Sequence, residues 1–467
     1  MNVASLLSHT VERYPQQEAL VFKDRHWTYL AWNARINRVC RALSEFGVRP
    51  MDRVALFLNT GEAAATGYFA CQKLGAVVVP INFRLAPAEL AHILRDSGAR
   101  ILIYSHELTS TVLEGTRDTR GLHDFIVVAD EARALPQDHH LFESIAEDGG
   151  AAPEPDYCAA PEQLSALVYT SGTTGRPKGV MHTHANDVMI AMNCALEYSL
   201  TSADRALHIA PLYHVGGMQA YFLPHVFVGG ANVIEDRYEA GKALSDIESE
   251  RITTLFAVPT QIQQMLFHAE FKSFDVSSLR MITTGGAAIA SATMERVLRE
   301  FCGNLFNGYG MTEASLTLLL HPRDALSRLG SCGKPTLISK ARIIKHSPEH
   351  DMLPEDEVSQ GGIGQLIVQG PQMTTGYWNN PKESAKRLKH GWLYTGDLFS
   401  CDSDGYYTFQ GRTDDMIVSG GENIYPREVE EVLYRCPGVR DAAVIGLPHP
   451  KWGQTVVAVI VRSDPAL

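Results

Sequence analysis

The sequence lacks the features that mark secreted, membrane-spanning and nucleic-acid-binding proteins. Its eight cysteines lie at wide spacings without a C-x-x-C pair, which argues against a zinc site or disulfide framework and favours a reducing compartment. No uninterrupted apolar segment reaches membrane-spanning length, and the first residues lack the apolar region of a signal peptide. The 41 basic residues against 53 acidic ones give a net charge of -12, which opposes nonspecific nucleic-acid binding. We therefore expect a cytoplasmic protein without nucleic-acid or integral membrane contact; a homodimer stays open.

Length and patterning indicate a layered α/β protein. With 467 residues, 45% of them hydrophobic and 20% charged, the chain should fold as at least two domains. Helical and strand-like patterns alternate, as in the helix predicted over Pro87 to Ser97 and the strand over Arg100 to Tyr104. A further buried strand is predicted over Leu164 to Thr170.

The organisation changes near Gly411, where a polar turn precedes a short strand, a Gly-Gly turn and a helix that begins near Pro426. This pattern predicts two domains, over residues 1–410 and 411–467. The second is α+β and small for a unit that buries its own core, so we expect it to be truncated.

One loop has the composition of a polyphosphate-binding site. It reads Tyr169-Thr170-Ser171-Gly172-Thr173-Thr174-Gly175-Arg176-Pro177-Lys178-Gly179. Glycines let backbone N–H groups turn toward one anion, hydroxyls add donors, and the lysine supplies a mobile charge. The spacing differs from a Walker loop, because Gly175 follows Gly172 too closely and a glycine follows Lys178. The loop therefore points to ATP held in another way.

Two shorter strings have ligand-binding chemistry and ordinary structural alternatives. Asn307 to Glu313 combines an aromatic ring, glycines, a hydroxyl and a carboxylate suited to Mg²⁺, but a loop with a helix cap would also explain it. Tyr394 to Asp397 places one carboxylate after a tight turn, either for ribose hydroxyls or as an ordinary turn residue.

The ordered set of motifs resembles the adenylate-forming superfamily of acyl-CoA synthetases, nonribosomal adenylation domains and luciferases. The resemblance covers nearly the whole chain. Besides the strings above, it rests on Pro211 to Gly217, Gly370 to Trp378, Gly411 to Asp414 and Ser419 to Pro426. It implies a large, multi-subdomain N-terminal adenylating domain followed by a small mobile domain.

The resemblance also implies a two-step reaction that uses ATP, Mg²⁺ and coenzyme A. A carboxylate attacks the α-phosphorus of ATP to give an acyl-adenylate and pyrophosphate, and a thiol then displaces AMP. Residues implied for catalysis are Lys178, Thr312, Glu313 and His214, and those implied for the metal are Glu313 and Thr173. Residues implied for ATP are Thr170, Ser171, Gly172, Thr173, Thr174, Gly175, Lys178, Asn307, Gly308, Tyr309, Gly310, Thr312, Asp397 and Arg412.

The second step is implied to follow rotation of the small domain about Asp414. Gly420 and Gly421 would then line a pantetheine tunnel near Trp452. Arg84 resembles the position with which aryl-CoA ligases contact a CoA phosphate, although a structural ion pair explains it equally well.

The acid site is implied to lie around Tyr213 to Gln219, Thr283 to Ala288 and Gly308 to Leu316, with His214 as an aromatic gate. Relatives that activate amino acids carry an aspartate within the segment Tyr213 to Gly217, and none is present. We therefore expect a simple carboxylic acid as the partner molecule, either fatty or aryl.

A catalytic lysine that the family carries in its final segment is not found. After Arg412 the only lysine is Lys451, which belongs to a different motif. A chain ending at Leu467 is therefore expected to adenylate poorly. Two alternatives to a CoA ligase stay open: transfer to the phosphopantetheine of a carrier protein, and a silent protein that binds nucleotide or acyl-adenylate.

Overall fold

The computed structural model describes residues 1–129, 135–150, 153–170, 176–347, 350, 352–419 and 422–462. These residues form four β-sheets with helices packed against them. The helices are α1 (Val3–Arg13), α2 (Tyr29–Glu45), α3 (Glu62–Leu74), α4 (Pro87–Ser97), α5 (Thr109–Thr116), α6 (Phe142–Ala146), α7 (His184–Glu197), α8 (Leu223–Val228), α9 (Ala240–Ser249), α10 (Pro259–Leu266), α11 (Ser291–Arg296), α12 (Pro322–Ala325), α13 (Pro381–Arg387) and α14 (Pro426–Leu433).

The largest sheet has nine strands and contributes most of the predicted acid site. Its strands are β1 (Glu18–Phe22), β2 (Arg25–Thr28), β10 (Arg205–His208), β11 (Ala231–Ile234), β12 (Thr254–Phe256), β13 (Met281–Thr284), β14 (Leu305–Met311), β15 (Ser315–Leu320) and β16 (Lys334–Pro335). Their order is β16-β15-β14-β13-β12-β10-β11-β1-β2, with a parallel centre and antiparallel edges.

A second sheet of seven strands delivers the phosphate loop. Its strands are β3 (Arg53–Phe57), β4 (Val77–Pro80), β5 (Ile101–Ser105), β6 (Asp124–Val128), β7 (His139–Leu141), β8 (Leu164–Thr170) and β9 (Lys178–Thr183), in the order β7-β6-β5-β3-β4-β8-β9. Strand β8 pairs antiparallel with β9, and Thr170 lies opposite Lys178. The loop between them therefore joins two neighbouring strands, unlike the strand-to-helix loop of a Walker motif.

Two smaller sheets complete the fold. The five-stranded sheet contains β17 (Lys340–Ile344), β18 (Gly364–Gln369), β19 (Leu388–Lys389), β20 (Trp392–Cys401) and β21 (Tyr407–Arg412). The four-stranded sheet contains β22 (Ile417–Ser419), β23 (Glu422–Ile424), β24 (Val439–His449) and β25 (Gly453–Arg462). Arg427 of α14 donates from Nη2 to the carbonyl of Ile289 at 3.2 Å, so α14 contacts the large body of the protein.

Local sequence signals explain several helix boundaries. Helix α4 has the predicted bounds Pro87–Ser97, because Pro87 favours a helix start and Gly98 ends it in the left-handed region at φ 63°. Apolar residues at helical spacing over Arg35 to Phe46 predict α2 but place its start too late. Thr28 caps the helix by accepting from the backbone N–H of Ala31 at 3.2 Å, so α2 begins at Tyr29.

The core lies between the central strands and the helices that cover both faces of the two large sheets. Each residue of β4 and β5 is buried, as expected for parallel strands covered on both sides. Within the described ranges, no helix combines the length and apolar character required to cross a membrane. All eight cysteines are free thiols.

Candidate active site

A cleft of about 480 Å³ brings most of the predicted nucleotide residues together. It is lined by Thr170 and Lys178 from the β8–β9 pair, by Asn307 to Glu313 at the β14–β15 turn, and by Asp397 and Arg412 from β20 and β21. Its charged residues are Lys178, Glu313, Glu383, Arg387, Asp397, Arg412 and Arg427. The cleft therefore offers cations for phosphates and carboxylates for a metal or for ribose hydroxyls.

The turn that carries Thr312 and Glu313 is fixed by the segment before α13. The hydroxyl of Tyr377 donates to Oε1 of Glu313 at 2.6 Å, and the backbone N–H of Thr374 donates to the carbonyl of Glu313 at 2.7 Å. Burial and the nearby Glu313 carboxylate raise the pKa of Tyr377, so its hydroxyl keeps its proton. One carboxylate oxygen of Glu313 is thus anchored, which leaves Oε2 for another ligand.

The Tyr377 segment reaches this position by joining β9. The backbone of Trp378 donates to the carbonyl of Gly179 at 2.8 Å, and Met181 donates to the carbonyl of Gly376 at 3.0 Å. These bonds attach the segment before α13 to β9, the strand that begins at Lys178.

Asp397 is held by two partners on the opposite side of the cleft. Tyr309 donates from its hydroxyl to Oδ2 at 2.6 Å, and Nε of Arg412 lies 3.2 Å from Oδ1. Burial raises the pKa of Asp397 although the bond from Tyr309 and the charge of Arg412 oppose that rise. A ribose would therefore meet a carboxylate whose Oδ2 already accepts a hydrogen bond.

Lys178 is paired with a carboxylate that the sequence analysis missed. Its Nζ lies 3.0 Å from Oε1 of Glu383 on α13, and both side chains are mostly buried. Burial acts to raise the pKa of Glu383, but the contact with Lys178 and the charges of Arg387 and Lys386 together lower it. The lysine is held toward the cleft by an anion that phosphate oxygens can replace.

A second cavity of about 250 Å³ adjoins the nucleotide cleft. Aromatic side chains of Tyr198, Tyr213, Tyr221 and Phe256 form much of its wall, and Gly216, Gly285, Gly308 and Gly310 leave it open. Among its described lining residues there is no Asp, Glu, Lys or Arg. The cavity lies in the segments predicted for the acid and suits an uncharged organic group.

His214 lies where the two cavities meet, because it lines both of them. Its Nδ1 accepts from the backbone N–H of Gly216 at 3.1 Å, which places the proton of the neutral ring on Nε2. The ring is open to the cavity space, yet desolvation by the surrounding protein lowers its pKa. A neutral ring at this junction fits the predicted gate better than a charged acid–base group.

The remaining predicted residues fall into two groups. Ser171, Gly172, Thr173, Thr174, Gly175, Gly420 and Gly421 lie outside the described residues. Arg84 and Trp452 are described but do not line the cleft. Arg84 is exposed, and its guanidinium lies 5.5 Å from the ring centre of Phe83. Trp452 lies beside Lys451 in the β24–β25 turn. Within the described ranges Arg84 makes no ion pair, so the alternative of a structural ion pair gains no support.

Sequence reasoning missed Tyr377, Glu383, Arg387 and Arg427 as cleft residues. Tyr377 belongs to a recognised motif, but its contact with Glu313 spans 64 residues and has no local signal. Glu383 follows the helix start at Asn380 and Pro381, where an acidic residue is explained by helix capping alone.

Comparison with protein-family models shows to which family the chain with these two cavities belongs. The model of the family described as AMP-binding enzyme matches residues 7–378, and that of its C-terminal domain matches residues 428–466. The chain belongs to the AMP-binding enzyme family. This confirms the resemblance drawn from the motifs and the predicted fold, a large N-terminal adenylating domain with a small C-terminal one.

The relatives of this AMP-binding enzyme include CoA ligases for aromatic and fatty acids. A feruloyl-CoA synthase of an Amycolatopsis species is 39% identical, over 94% of this chain and 84% of the relative. An indoleacetate–CoA ligase of Aromatoleum aromaticum is 35% identical, over 97% of this chain and 88% of the relative.

Solved structures agree with these relatives. A fatty acyl CoA synthetase of Mycobacterium tuberculosis has a TM-score of 0.83 and 30% identity, covering 100% of this chain and 89% of that one. An anthranilate CoA ligase in complex with anthranoyl-AMP has a TM-score of 0.89 and 29% identity, covering 98% and 86%. The protein is an AMP-forming ligase that activates a carboxylic acid with ATP and transfers it to CoA, which confirms the main functional prediction.

The cleft also fits Mg²⁺ bound together with phosphates. Within the described part of the chain, no group of three or more His, Cys, Asp or Glu residues has the arrangement of a metal site. Mg²⁺ usually binds through one or two carboxylates plus substrate phosphates. Glu313, buried and with one oxygen fixed by Tyr377, meets that requirement.

Proposed function

We propose that this CoA ligase acts on a compact aryl acid, such as a substituted arylpropenoic or arylacetic acid. The observation that carries the proposal is the uncharged cavity of about 250 Å³ that meets the nucleotide cleft at His214. An apolar cavity of about 150 Å³ binds benzene. The larger volume here suits one ring with a short arm, whose carboxylate would lie at the junction.

Two polar groups in the cavity wall favour a ring that carries a polar substituent. Thr284 and Ser315 are 1% and 3% exposed and line this cavity. Their hydroxyl oxygens have no hydrogen-bond partner among the described residues. Both oxygens are closed off from the cavity space in this structure. A buried hydroxyl without a partner is costly, so a turn of either side chain toward a hydroxyl or methoxy group of the acid would supply one.

In the first step, an oxygen of the acid attacks the α-phosphorus of ATP and the bond to pyrophosphate breaks. Lys178 and Thr312 would hold phosphate oxygens, and Glu313 would hold Mg²⁺ through Oε2. Mg²⁺, when bound, neutralises charge on the phosphates. Tyr309 would offer its ring to the adenine while its hydroxyl holds Asp397 for the ribose, together with Arg412.

In the second step, the CoA sulfur attacks the acyl carbon, the thiol proton leaves, and the bond to AMP breaks. We propose that residues 411–467 rotate between the steps about Asp414, bringing Gly420 and Gly421 to the acid. This motion would break the bond from Arg427 to the carbonyl of Ile289. Arg84 and Trp452 would contact CoA only after such a change. The cytoplasmic location and the homodimer stay predictions.

The test is an acid panel with ATP, Mg²⁺ and CoA, in which AMP and the thioester are measured by liquid chromatography and mass spectrometry. Cinnamic acid, its 4-hydroxy and 3-methoxy-4-hydroxy derivatives and a saturated fatty acid of equal carbon number form the panel. We expect the substituted aryl acids to have the highest kcat/KM. Preference for the fatty acid would contradict the proposal.

Two variants test the substituent contact. Thr284→Val and Ser315→Ala remove one hydroxyl each with little change of volume. We expect the advantage of the 4-hydroxy acid over cinnamic acid to shrink up to about tenfold, as for loss of one net hydrogen bond, in at least one variant. An unchanged ratio in both would show that neither hydroxyl contacts the substituent.

A further inference from the structure

A buried histidine lies directly beneath the turn that carries Thr312 and Glu313. His182 on β9 is 1% exposed, and its two ring nitrogens face different elements. Nε2 lies 2.9 Å from the carbonyl oxygen of Thr312, and Nδ1 lies 2.9 Å from Oδ1 of Asp187 on α7. The ring therefore connects α7 with the turn at the bottom of the nucleotide cleft.

Both partners of His182 are hydrogen-bond acceptors. A backbone carbonyl and an ionised carboxylate cannot donate, so each ring nitrogen must supply a proton to make its bond. The geometry thus calls for an imidazolium, which donates to Thr312 and pairs with the negative charge of Asp187. A charged donor makes a shorter and stronger bond than a neutral one.

Asp187 is itself held rigidly. It is 0% exposed, and its Oδ2 accepts from the hydroxyl of Ser165 at 2.6 Å and lies 3.4 Å from the hydroxyl of Tyr68. Ser165 belongs to β8 and Tyr68 to α3, and both are fully buried. The chain of contacts from α3, β8 and α7 through His182 therefore ends on the backbone of Thr312.

We propose that His182 is a positioning residue, which holds the backbone of Thr312 so that Thr312 and Glu313 meet the phosphates and the metal of ATP. The inference rests on the proposed roles of Thr312 and Glu313. It explains why the turn is fixed from two sides, by Tyr377 on the Glu313 carboxylate and by His182 on the carbonyl before it. His182 is buried and does not line the nucleotide cleft, so it holds the turn from outside the site.

Two substitutions separate the two bonds of His182. The amide of glutamine reaches about as far as Nε2, so His182→Gln keeps a donor for Thr312 and loses the one for Asp187. The shorter asparagine places its amide near Nδ1, so His182→Asn keeps a donor for Asp187 and loses the one for Thr312. Both remove the positive charge, which makes them matched controls for stability.

The measurement is the affinity for a non-hydrolysable ATP analogue with Mg²⁺, determined by calorimetry. The affinity for adenosine and the thermal midpoint of each variant are measured beside it. Removal of a group that orients a metal ligand typically weakens metal binding or activity by about 10–100-fold. We expect His182→Asn to lose about tenfold or more in affinity for the Mg²⁺ complex and His182→Gln to lose clearly less. Both should bind adenosine, which has no phosphate, nearly as the unaltered protein does.

Equal losses in the two variants, or equal losses for adenosine and the Mg²⁺ complex, would overturn the proposal, because a general structural role would produce them. The readout needs no turnover. If the unaltered protein does not bind the Mg²⁺ complex, the proposed roles of Thr312 and Glu313 are wrong, and so is the role of His182. If it binds the complex but turns over no aryl acid, only the proposed substrate is wrong.

Should His182→Asn not fold, Ser165→Ala removes only one donor to Asp187 and tests the same network. A selective loss for the Mg²⁺ complex in this variant supports the proposal. No selective loss contradicts it.

Discussion

The two cavities that meet at His214 have opposite chemical character. The nucleotide cleft contains Lys178, Glu313, Glu383 and Asp397, each with a charged or hydrogen-bonding partner. The acid cavity has aromatic rings, glycines and two unpartnered hydroxyls, without a charged side chain among its described lining residues. We therefore propose that ATP is recognised by prearranged charges and the acid mainly by shape.

This difference indicates in which cavity the preference for one acid over another can vary. A charged cleft depends on partners that hold each group in place, so one lost partner affects ATP regardless of the acid. A cavity defined by volume changes its preference when one wall residue changes size. Substitutions in the two regions should therefore affect different substrates.

The largest effect is expected from Glu313→Gln, which removes the proposed metal ligand and keeps the shape of the side chain. Loss of one prearranged electrostatic contact typically costs about 10²–10³-fold in rate, so we expect a fall of about that size in kcat/KM for ATP. Steady-state kinetics at varied Mg²⁺ would measure it. The control is Glu383→Gln, which changes another carboxylate of the same cleft. An equal fall in both variants would contradict the role of Glu313 as the metal ligand.

A clear change in acid preference is expected from Phe256→Ala. The ring of Phe256 forms part of the acid cavity wall, and its removal adds space without touching the nucleotide cleft. A difference of one methylene group in a hydrophobic pocket changes selectivity by about 10–200-fold, so the ratio of kcat/KM for a bulkier acid over cinnamic acid should rise about tenfold or more. The KM for ATP is the internal control, and a change confined to ATP would contradict the division between the cavities.

A smaller effect is expected from Tyr309→Phe. The variant keeps the ring for the adenine and removes the hydroxyl that donates to Asp397 at 2.6 Å. The net contribution of one hydrogen bond corresponds to a change of up to about tenfold, so the KM for ATP should rise by several-fold at most. A loss as large as that of Glu313→Gln would mean that Asp397 depends on Tyr309 far more than this geometry implies.

The smallest effect on the two cavities is expected from a change of pH. It alters the stability of the fold and involves neither cavity directly. Burial lowers the pKa of His184 and His225 from 6.5 to about 4, and that of His208 to about 3. These rings stay neutral in the folded protein but gain protons in the unfolded chain below pH 6.5, so stability falls as the pH drops from 6.5 toward 4. Each ring contributes up to about 1.4 kcal/mol per pH unit.

Thermal melts across that pH range would measure this fall. His208→Gln removes one of the titrating rings and should make the dependence shallower. A thermal midpoint that does not change with pH would contradict the neutral state of the three buried histidines.

The sequence revealed the cleft residues that belong to ordered motifs, and it did not reveal their partners. Lys178, Tyr309, Glu313 and Asp397 could be found because each sits in a short string with its own chemistry. The bonds from Tyr377 to Glu313 and from Glu383 to Lys178 join distant segments, so no local pattern predicts them. Periodicity predicts the bounds of α4 correctly because a proline and a glycine mark its ends. It predicts the start of α2 too late, because that start depends on the threonine cap rather than on the apolar pattern.

The two cavities form one continuous site joined at His214. Calorimetric binding of a non-hydrolysable adenylate analogue of 4-hydroxycinnamic acid tests it most directly, with AMP and the free acid measured separately. We expect the joined molecule to bind far more tightly than either part, and more tightly than an analogue with a long saturated chain. An affinity no greater than that of AMP alone would contradict it, because the acid cavity would then add nothing to binding.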